Sequence, residues 1–290
     1  MTQSSNPTRK VPTRRISFEE SLEDLPKHFA ADGDPILSHI AASLSAVFPD
    51  GEDFFVRSVR YYRDQIDDPA LKQQVNGFIG QEAMHGREHR VFNDRLAELG
   101  YPTKRIERFT KWGLELRTKY APKIANLAAT AALEHFTATL AELLLTSEET
   151  RNTFGHDEVR NLFVWHALEE SEHKAVAFDV YRAVGGSERL RIWTMRAIMI
   201  GFIVGMSAQT AISVLFDRDA WRRGRIFKSL RNIRKAPFLR IEVWRQLQEY
   251  NQVGFHPDDR DTYPLVEEWR TTLFGEQGTL NDKLATAVAS

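Results

Sequence analysis

One stripe of side chains near residue 85 restricts the fold of this chain more than any other sequence feature. In GQEAMHGREHRVF, residues 80–92, Glu82, His85 and His89 follow the spacing i, i+3 and i+7. On a helix these side chains project from nearly the same side, where core-facing residues are expected. Two imidazoles and a carboxylate on one face are typical of a metal ligand set, although a single stripe also arises by chance.

A second stripe of the same composition lies later in the chain. In FVWHALEESEHKAVAF, residues 163–178, His166, Glu170 and His173 follow the spacing i, i+4 and i+7. Glu169 lies three residues after His166 and four before His173, so it is an alternative ligand on the same helix. Two such stripes predict two helices that face each other across a metal site.

Two single glutamates extend the predicted site. Glu134 lies among Ala, Leu and Phe residues with no Lys or Arg nearby, and a lone buried carboxylate is costly unless a cation neutralises it. Glu52 lies on the same side of a predicted helix as Phe55, and its alternative role is to stabilise a helix start through the helix dipole. His135 points about 100° away from its neighbour and is expected to be a packed or surface residue.

Composition limits the chemistry of these residues. The chain has 290 residues, of which 42% are hydrophobic, enough for a sizeable core. Because it has no cysteine, any metal must be bound by histidine and carboxylate, which favours iron or manganese, with zinc as an alternative. The formal net charge of −1 argues against nucleic acid as a partner. The N-terminus has no apolar run of the secretory type, so a cytoplasmic location is expected.

The distribution of proline, glycine and apolar residues predicts an all-α chain. Apolar residues recur with the helical period, without the sustained alternation of strands, and Pro or Gly marks the breaks. The predicted helices span residues 48–66, 69–99, 122–148 and 156–184. We expect three parts: a flexible polar N-terminal arm (1–34), a di-metal helical bundle (35–185) and a C-terminal helical extension (186–290), the last packed on the bundle as one domain.

The predicted ligands on four helices resemble those of the ferritin-like di-iron and di-manganese superfamily. Its members supply one Glu from each of two helices and Glu-x-x-His from each of the other two. The matching residues are Glu52, Glu82, His85, Glu134, Glu170 and His173. The resemblance implies a ferritin-like four-helix bundle with additional C-terminal helices. It also implies two bound Fe ions, with Mn or Zn as alternatives.

Two narrower resemblances refine this expectation. The pattern His-x3-Glu-x2-His that begins at His166 is similar to that of di-iron arylamine N-oxygenases, where the additional histidine binds iron. His166 and His89 are therefore expected as further ligands, the alternative being hydrogen bonds that orient a ligand. The blocks FPDGEDFFVRSVR, FIGQEAMHGREH, LEHFTA, EESEHKAVAFDVY and GFHPDDRDTYPLVEEW resemble the family of predicted metal-dependent hydrolases. This second resemblance implies two-metal hydrolysis.

An uncharged segment of 20 residues, 197–216, adds a candidate membrane contact. Its length would span a hydrocarbon core, but its Ser, Thr and Gln residues also fit a buried or dimer-forming helix. Eight Lys and Arg residues and no acid follow between Trp221 and Arg240, which fits adhesion to anionic lipid. The alternatives are thus a peripheral or embedded position at the inner membrane, and a homodimer formed through this segment.

Two classes of enzyme fit these features. The favoured class activates dioxygen at two ferrous ions to oxidise or oxygenate an apolar small-molecule substrate, with electrons from a redox donor protein. The alternative is a two-metal hydrolase, in which hydroxide attacks an ester, amide or phosphate. Oxidation is preferred because a carboxylate-rich helical site usually activates oxygen in the superfamily that the chain resembles, and the sequence has no recognisable oxyanion donor, Ser nucleophile or phosphate-binding Gly loop. An apolar substrate is expected because small residues beside Glu134 leave room for an apolar cleft. Metal storage is a third and less favoured function.

Overall fold

The chain is all-α, as predicted. The computed structural model describes residues 9–285, except for the side chain of Arg223. Residues 1–8 of the predicted arm and 286–290 of the predicted extension lie outside the described residues. The helices are α1 (Pro35–Arg60), α2 (Pro69–Glu98), α3 (Thr103–Tyr120), α4 (Lys123–Thr146), α5 (Glu148–Arg151), α6 (Asp157–His173), α7 (Val176–Ala183), α8 (Glu188–Phe216), α9 (Arg218–Trp221), α10 (Arg225–Ile233), α11 (Ile241–Glu249) and α12 (Tyr263–Phe274).

Four helices, α1, α2, α4 and α6, pack around a shared interior. Helix α1 contacts α2 and α4, and α6 contacts the same two helices. Helices α8, α10, α11 and α12 of the C-terminal part pack on the outside of α1, α4 and α6. Two apolar clusters fill the interior, and Phe78 from one packs on His173 while Trp165 from the other packs on His85. The polar residues of the interior therefore lie between two apolar clusters.

Helix α1 begins earlier than predicted because it continues through an internal proline. Asp34 caps its first turn by accepting a backbone hydrogen bond, and Pro35 follows at the first helical position. Pro49 has no N–H to bond the carbonyl of Ser45, four residues earlier. The side-chain amide of Asn93 on α2 donates to that carbonyl instead, at 3.1 Å. The predicted start near residue 48 is corrected, since a partner on another helix satisfies the backbone at the proline.

The other long helices agree with the prediction except at one break. Helices α2 and α4 lie within two residues of the predicted 69–99 and 122–148. The predicted helix 156–184 is two helices, because the chain turns at Lys174 and Ala175. No proline or glycine marks this break, so no local signal indicated it.

The N-terminal segment, residues 9–34, packs on the bundle, which corrects the prediction of a flexible arm for these residues. Its large apolar side chains are buried: Ile16, Phe18, Leu22, Leu25 and Phe29. Gly77 and Gly80 on α2 permit its close approach, because a Cβ at these positions would overlap Val11 and Thr13, respectively. Apolar residues that pack on the bundle are spaced between the polar residues that suggested an arm.

The apolar segment 197–216 forms most of α8. Within residues 9–285, α8 is the one helix whose length and composition would allow it to cross a membrane, and 22% of its most apolar stretch is buried. One side of the helix packs on α1 and α4. The opposite side exposes large apolar residues, with Ile200 66%, Val204 63% and Phe216 76% accessible. The helix thus packs on the outside of the bundle and also presents an apolar surface.

Candidate metal centre

All but one of the predicted ligands meet in the interior between α1, α2, α4 and α6. Two groups of three have ligand atoms within 4.8 Å of one another: Glu52, His85 and His166, and Glu82, Glu170 and His173. Glu134 joins the second group, since its Oε2 lies 3.3 Å from Nε2 of His173. The groups adjoin, because Nδ1 of His85 lies 3.7 Å from Oε1 of both Glu82 and Glu170. The arrangement offers two neighbouring cation positions.

Eight buried atoms that face this interior make no hydrogen bond of acceptable geometry, although Nε2 of His173 lies 3.1 Å from Oε1 of Glu82. Both oxygens of Glu52, Glu82 and Glu134 are buried and unpartnered, as are Nδ1 of His85 and Nε2 of His173. Buried polar atoms are nearly always paired, and each unpaired group costs about 1–3 kcal/mol. Metal ions held by these atoms would satisfy all of them together. The residues therefore fit a pair of divalent cations.

The electrostatics of the centre indicate the same need for positive charge. Burial and the neighbouring carboxylates raise the pKa of Glu134 to about 8. Burial also raises the pKa of Glu52 well above its usual value. Burial alone would lower the pKa of His85, but its hydrogen bond with Glu169 and the proximity of Glu82 raise it to about 10. Against the effect of burial, the neighbouring histidines lower the pKa of Glu82 and Glu170, so positive charge beside these carboxylates stabilises them.

Two of the histidines are oriented by partners at their outer nitrogens. Nε2 of His85 lies 3.1 Å from Oε2 of Glu169, and Glu169 in turn accepts a hydrogen bond from Arg14 at 2.9 Å. Nδ1 of His173 lies 2.8 Å from Oε1 of Gln81. An amide oxygen only accepts, so Nδ1 of His173 carries the proton and Nε2 presents its lone pair to the interior. Glu169 thus supports a ligand from outside, while Glu170 faces the centre.

His89 orients another histidine instead of facing the centre, which corrects its assignment as a ligand. Its Nε2 lies 2.7 Å from Nδ1 of His166, and its Nδ1 lies 2.8 Å from Oγ of Ser45. The Ser45 hydroxyl donates to Oδ1 of Asn93 at 2.7 Å, so Ser45 accepts the proton of His89. His166 then donates to His89 and directs Nε2 at the centre, 2.9 Å from Oε1 of Glu170. Both nitrogens of His89 are used, so neither remains for a metal.

A layer of charged residues behind the ligands was missed by the sequence-based reasoning. Glu172 accepts hydrogen bonds from Gln81 at 2.6 Å, from Arg14 at 2.7 Å and from Arg270 at 2.9 Å. Arg14 comes from the N-terminal segment and Arg270 from α12. The acidic run EESEH was the available signal, because it places Glu169 and Glu172 beside the ligands. Their cationic partners are distant in sequence and follow no local spacing.

Comparison with known proteins identifies the family. The family model described as predicted metal-dependent hydrolase matches residues 12–261, most of the chain. The chain belongs to this family. No curated protein and no solved structure matches it. The family description supports a metal-dependent enzyme, and it supports the predicted alternative of hydrolysis more directly than oxygen activation.

In this member of the predicted metal-dependent hydrolase family, His135 lies outside the centre. Its Nε2 lies 3.1 Å from the carbonyl oxygen of Gln246, and its ring packs on Tyr250 and Phe255. Burial lowers its pKa to about 4, so the ring is neutral at pH 7. It is a packed core histidine that turns away from Glu134, as its helical phase predicts.

An apolar cavity of about 660 Å³ adjoins the candidate metal centre of this family member. Glu52 forms part of its wall, together with Thr137, which donates a hydrogen bond to Glu170. Most of the remaining wall is apolar and comes from α1, α3, α4 and α8, including Phe48, Phe55, Leu133, Phe202 and Met206. The volume is in the range of small-molecule sites. The cavity gives an apolar molecule a place to lie beside the ligands.

Proposed function

We propose that this chain is a dinuclear metal enzyme that uses dioxygen to oxidise an apolar small molecule. The observation that carries the proposal is the double role of Glu52, which belongs to the ligand set and to the wall of the apolar cavity. Two iron ions, when bound, would supply the redox chemistry. Insertion of one oxygen atom into a C–H bond reduces the other atom to water, which requires two electrons and two protons. A redox donor protein is therefore part of the proposal.

The residues of the chain would hold, orient and shield the two ions. One ion would lie among Glu52, His85 and His166, and the other among Glu82, Glu134, Glu170 and His173. The outer partners fix which nitrogen of each histidine faces the centre. This distribution of ligands over α1, α2, α4 and α6 supports a ferritin-like relationship, as an extension of the same proposal. The apolar cavity wall would keep bulk water from the reacting groups.

Hydrolysis is the second candidate, because the family description favours it. Divalent ions held by the same residues would supply hydroxide at neutral pH. The cavity would then accept the apolar part of an ester or amide. Glu134, whose pKa burial and neighbouring carboxylates raise to about 8, would be deprotonated when it binds metal in either reaction.

Metal substitution separates the two reactions. Protein purified without oxygen and loaded with Fe(II) is expected to consume dioxygen, and electrons supplied with an apolar substrate should increase the rate. The Zn(II) form should be inactive, because zinc has no accessible redox change. Robust turnover of an apolar ester by the Zn(II) form, abolished by Glu134→Ala, would establish the hydrolase instead. Oxygen uptake that persists in Glu134→Ala would argue against a reaction at this centre.

We also propose that the exposed side of α8 contacts an anionic membrane surface. Support comes from the exposed apolar residues of α8 and from the exposed cations that follow, such as Arg231 and Arg234. Arg222 and Lys228 are exposed as well, and they pair with Asp219 at 3.1 Å and with Asp32 at 3.3 Å. Each such charge contributes on the order of 1 kcal/mol near anionic lipid, and salt weakens it. Flotation with vesicles of anionic lipid at low and high salt tests this, with Arg222→Gln/Lys228→Gln as the weakened variant. Absence of flotation at low salt, with a dimer in sedimentation velocity, would assign the surface to a homodimer.

A further inference from the structure

Four glycines inside helices line the apolar cavity beside the metal centre. They are Gly51 of α1, Gly113 of α3, and Gly201 and Gly205 of α8. None of them has a positive φ, so the backbone does not require glycine there. A glycine in a helix interior costs about 1 kcal/mol relative to alanine. A Cβ at each position would meet nothing within 4 Å. The observable effect of these glycines is therefore a wider cavity.

The lining of the cavity follows α8 over more than four turns. Residues of this helix contribute from Trp193 to Gln209, which corresponds to about 24 Å along the helix axis. Apolar residues of α1, α3 and α4 form the facing walls, and Glu52 of the metal centre lies among them. A long and slim apolar molecule fits such a wall better than a compact one.

A single cation lies in this apolar lining. Among the described lining residues, Arg117 of α3 is the one Lys or Arg. One of its N–H groups donates to the carbonyl of Ala125 at 2.8 Å, while its buried Nε has no partner. Burial lowers the pKa of Arg117, and no carboxylate contributes an opposing effect. A guanidinium that is partly removed from water without a counter-ion would be stabilised by an anionic group of a ligand.

We propose that the cavity binds a long-chain carboxylate of the fatty-acid type, with its carboxylate at Arg117 and its alkyl chain along the glycine-lined wall of α8. This deepens the proposed function, on which it rests, by naming the substrate class. The apolar walls would hold the alkyl chain, and Arg117 would set its position along the cavity. Glu52 in the same wall would place the metal centre beside the alkyl chain instead of beside the carboxylate.

Binding measurements test the carboxylate contact without any turnover. Calorimetric titration of the purified protein with dodecanoate and with dodecan-1-ol compares an anionic and a neutral head on the same chain. Dodecanoate should bind at least tenfold more tightly. Arg117→Gln should remove this preference by weakening dodecanoate alone. Equal affinity for the two probes in the unaltered protein, or an unchanged preference in Arg117→Gln, would overturn the assignment of the anion to Arg117.

Glycine variants test the path of the alkyl chain. Gly201→Leu should abolish binding of both probes, because the new side chain fills the cavity, while leucine favours the helix and preserves the fold. Ser207→Leu, on an exposed position of α8 outside the lining, is the matched control and should bind normally. Circular dichroism reports the helical content of each variant. Unchanged dodecanoate affinity in folded Gly201→Leu would show that the chain does not follow α8.

These binding measurements, together with the oxygen-uptake and ester-cleavage assays, separate failure of this inference from failure of the proposed function. In one outcome, Arg117→Gln and Gly201→Leu change dodecanoate binding as expected, but the iron-loaded protein consumes no oxygen and the zinc form cleaves no ester. This outcome supports the fatty-acid ligand and contradicts the proposed reaction. Turnover of other apolar compounds without dodecanoate binding gives the reverse result and overturns the inference.

Discussion

Two buried clusters of histidine and carboxylate have similar composition but differ in what their atoms contact. His28, His39 and Asp217 have ligand atoms within 4.8 Å of one another, as do the two groups of the metal centre. Oδ2 of Asp217 lies 2.7 Å from Nε2 of His28 and 3.0 Å from Nε2 of His39, and its Oδ1 accepts from Nζ of Lys27 at 2.7 Å. The carboxylate of Asp217 is thus fully paired. In the metal centre, eight buried atoms have no hydrogen-bond partner.

The difference teaches that unpaired buried polar atoms make one cluster a candidate metal centre, whereas full pairing makes the other a structural cluster. At Asp217, the ammonium of Lys27 already supplies the positive charge that a metal would bring. His39 also uses its second nitrogen, since Nδ1 lies 2.7 Å from Oγ of Ser213. A metal there would break hydrogen bonds, whereas a metal between α2 and α6 would satisfy atoms that have none. The Asp217 cluster therefore ties the N-terminal segment and α1 to the end of α8.

Removal of one carboxylate from the centre should have the largest effect. Glu134→Ala and Glu170→Ala are each expected to lose most bound metal, because the remaining carboxylates no longer offset two divalent ions. Helical content should persist, since α4 and α6 pack through many other residues. Metal analysis and circular dichroism measure the two quantities. Asp217→Asn is the control and should keep its metal. Two metals per chain in both glutamate variants would refute the comparison, as would metal loss in Asp217→Asn.

Substitution of two histidines should reduce metal binding less than loss of a carboxylate, and by different amounts for the two residues. His166→Ala removes a predicted ligand and should lose about one metal per chain. His89→Gln removes a residue that only orients His166, so it should retain both metals at saturation with about 10–100-fold weaker affinity. Competition with a chelator measures the affinities. If His89→Gln loses a metal outright even at saturation, His89 is a ligand after all and the hydrogen-bond assignment is wrong.

The contribution of the N-terminal segment to metal affinity should be measurable by replacing Arg14. Arg14→Gln leaves Glu169 without its guanidinium and leaves Glu172 with that of Arg270 alone, so we expect metal affinity to fall by about 10–100-fold. Arg15→Gln changes an exposed neighbour in the same segment and should have no effect. Chelator competition at fixed pH compares the variants. Equal affinity in both would mean that the outer charges do not tune the ligands.

Local spacing predicted which residues share this interior, because helix geometry decides which side chains lie on one face. Glu82 with His85, and Glu170 with His173, needed only the helical period. Glu52 lies at the same interior although its helix begins at Pro35, since its phase relative to Phe55 does not depend on the helix start. The same argument placed His89 on the stripe and could not show that its nitrogens are occupied.

The contacts that sequence reasoning missed are those between residues far apart in the chain. Arg14 reaches Glu172 over a separation of 158 residues, and His28 reaches Asp217 over 189. No periodicity links such residues, because their meeting depends on how the segments pack. The polar sequence of the N-terminal segment therefore suggested a flexible arm, although its Arg14 completes the support of the centre. The convergence of histidines and carboxylates was predictable from local spacing. The hydrogen-bond pairing that separates a candidate metal centre from a structural cluster was not.

The smallest effect on metal is expected at His135, a buried histidine that belongs to neither cluster. Burial lowers its pKa to about 4, whereas an unfolded histidine titrates near 6.5. The unfolded state therefore binds the proton first, and the stability that neutral His135 contributes above pH 6.5 is lost as the pH falls towards 4. At pH 5 this loss is about 2 kcal/mol relative to pH 7.5.

His135→Gln cannot take up this proton and retains an amide that can donate to the Gln246 carbonyl. The variant should therefore lose about 2 kcal/mol less stability than the unaltered protein between pH 7.5 and pH 5. Urea unfolding with a chelator present measures this difference without the titration of bound metal. Metal content at pH 7.5 should equal that of the unaltered protein. An identical pH dependence would show that His135 is open to water, and loss of metal would show that the phase of α4 brings it to the centre beside Glu134.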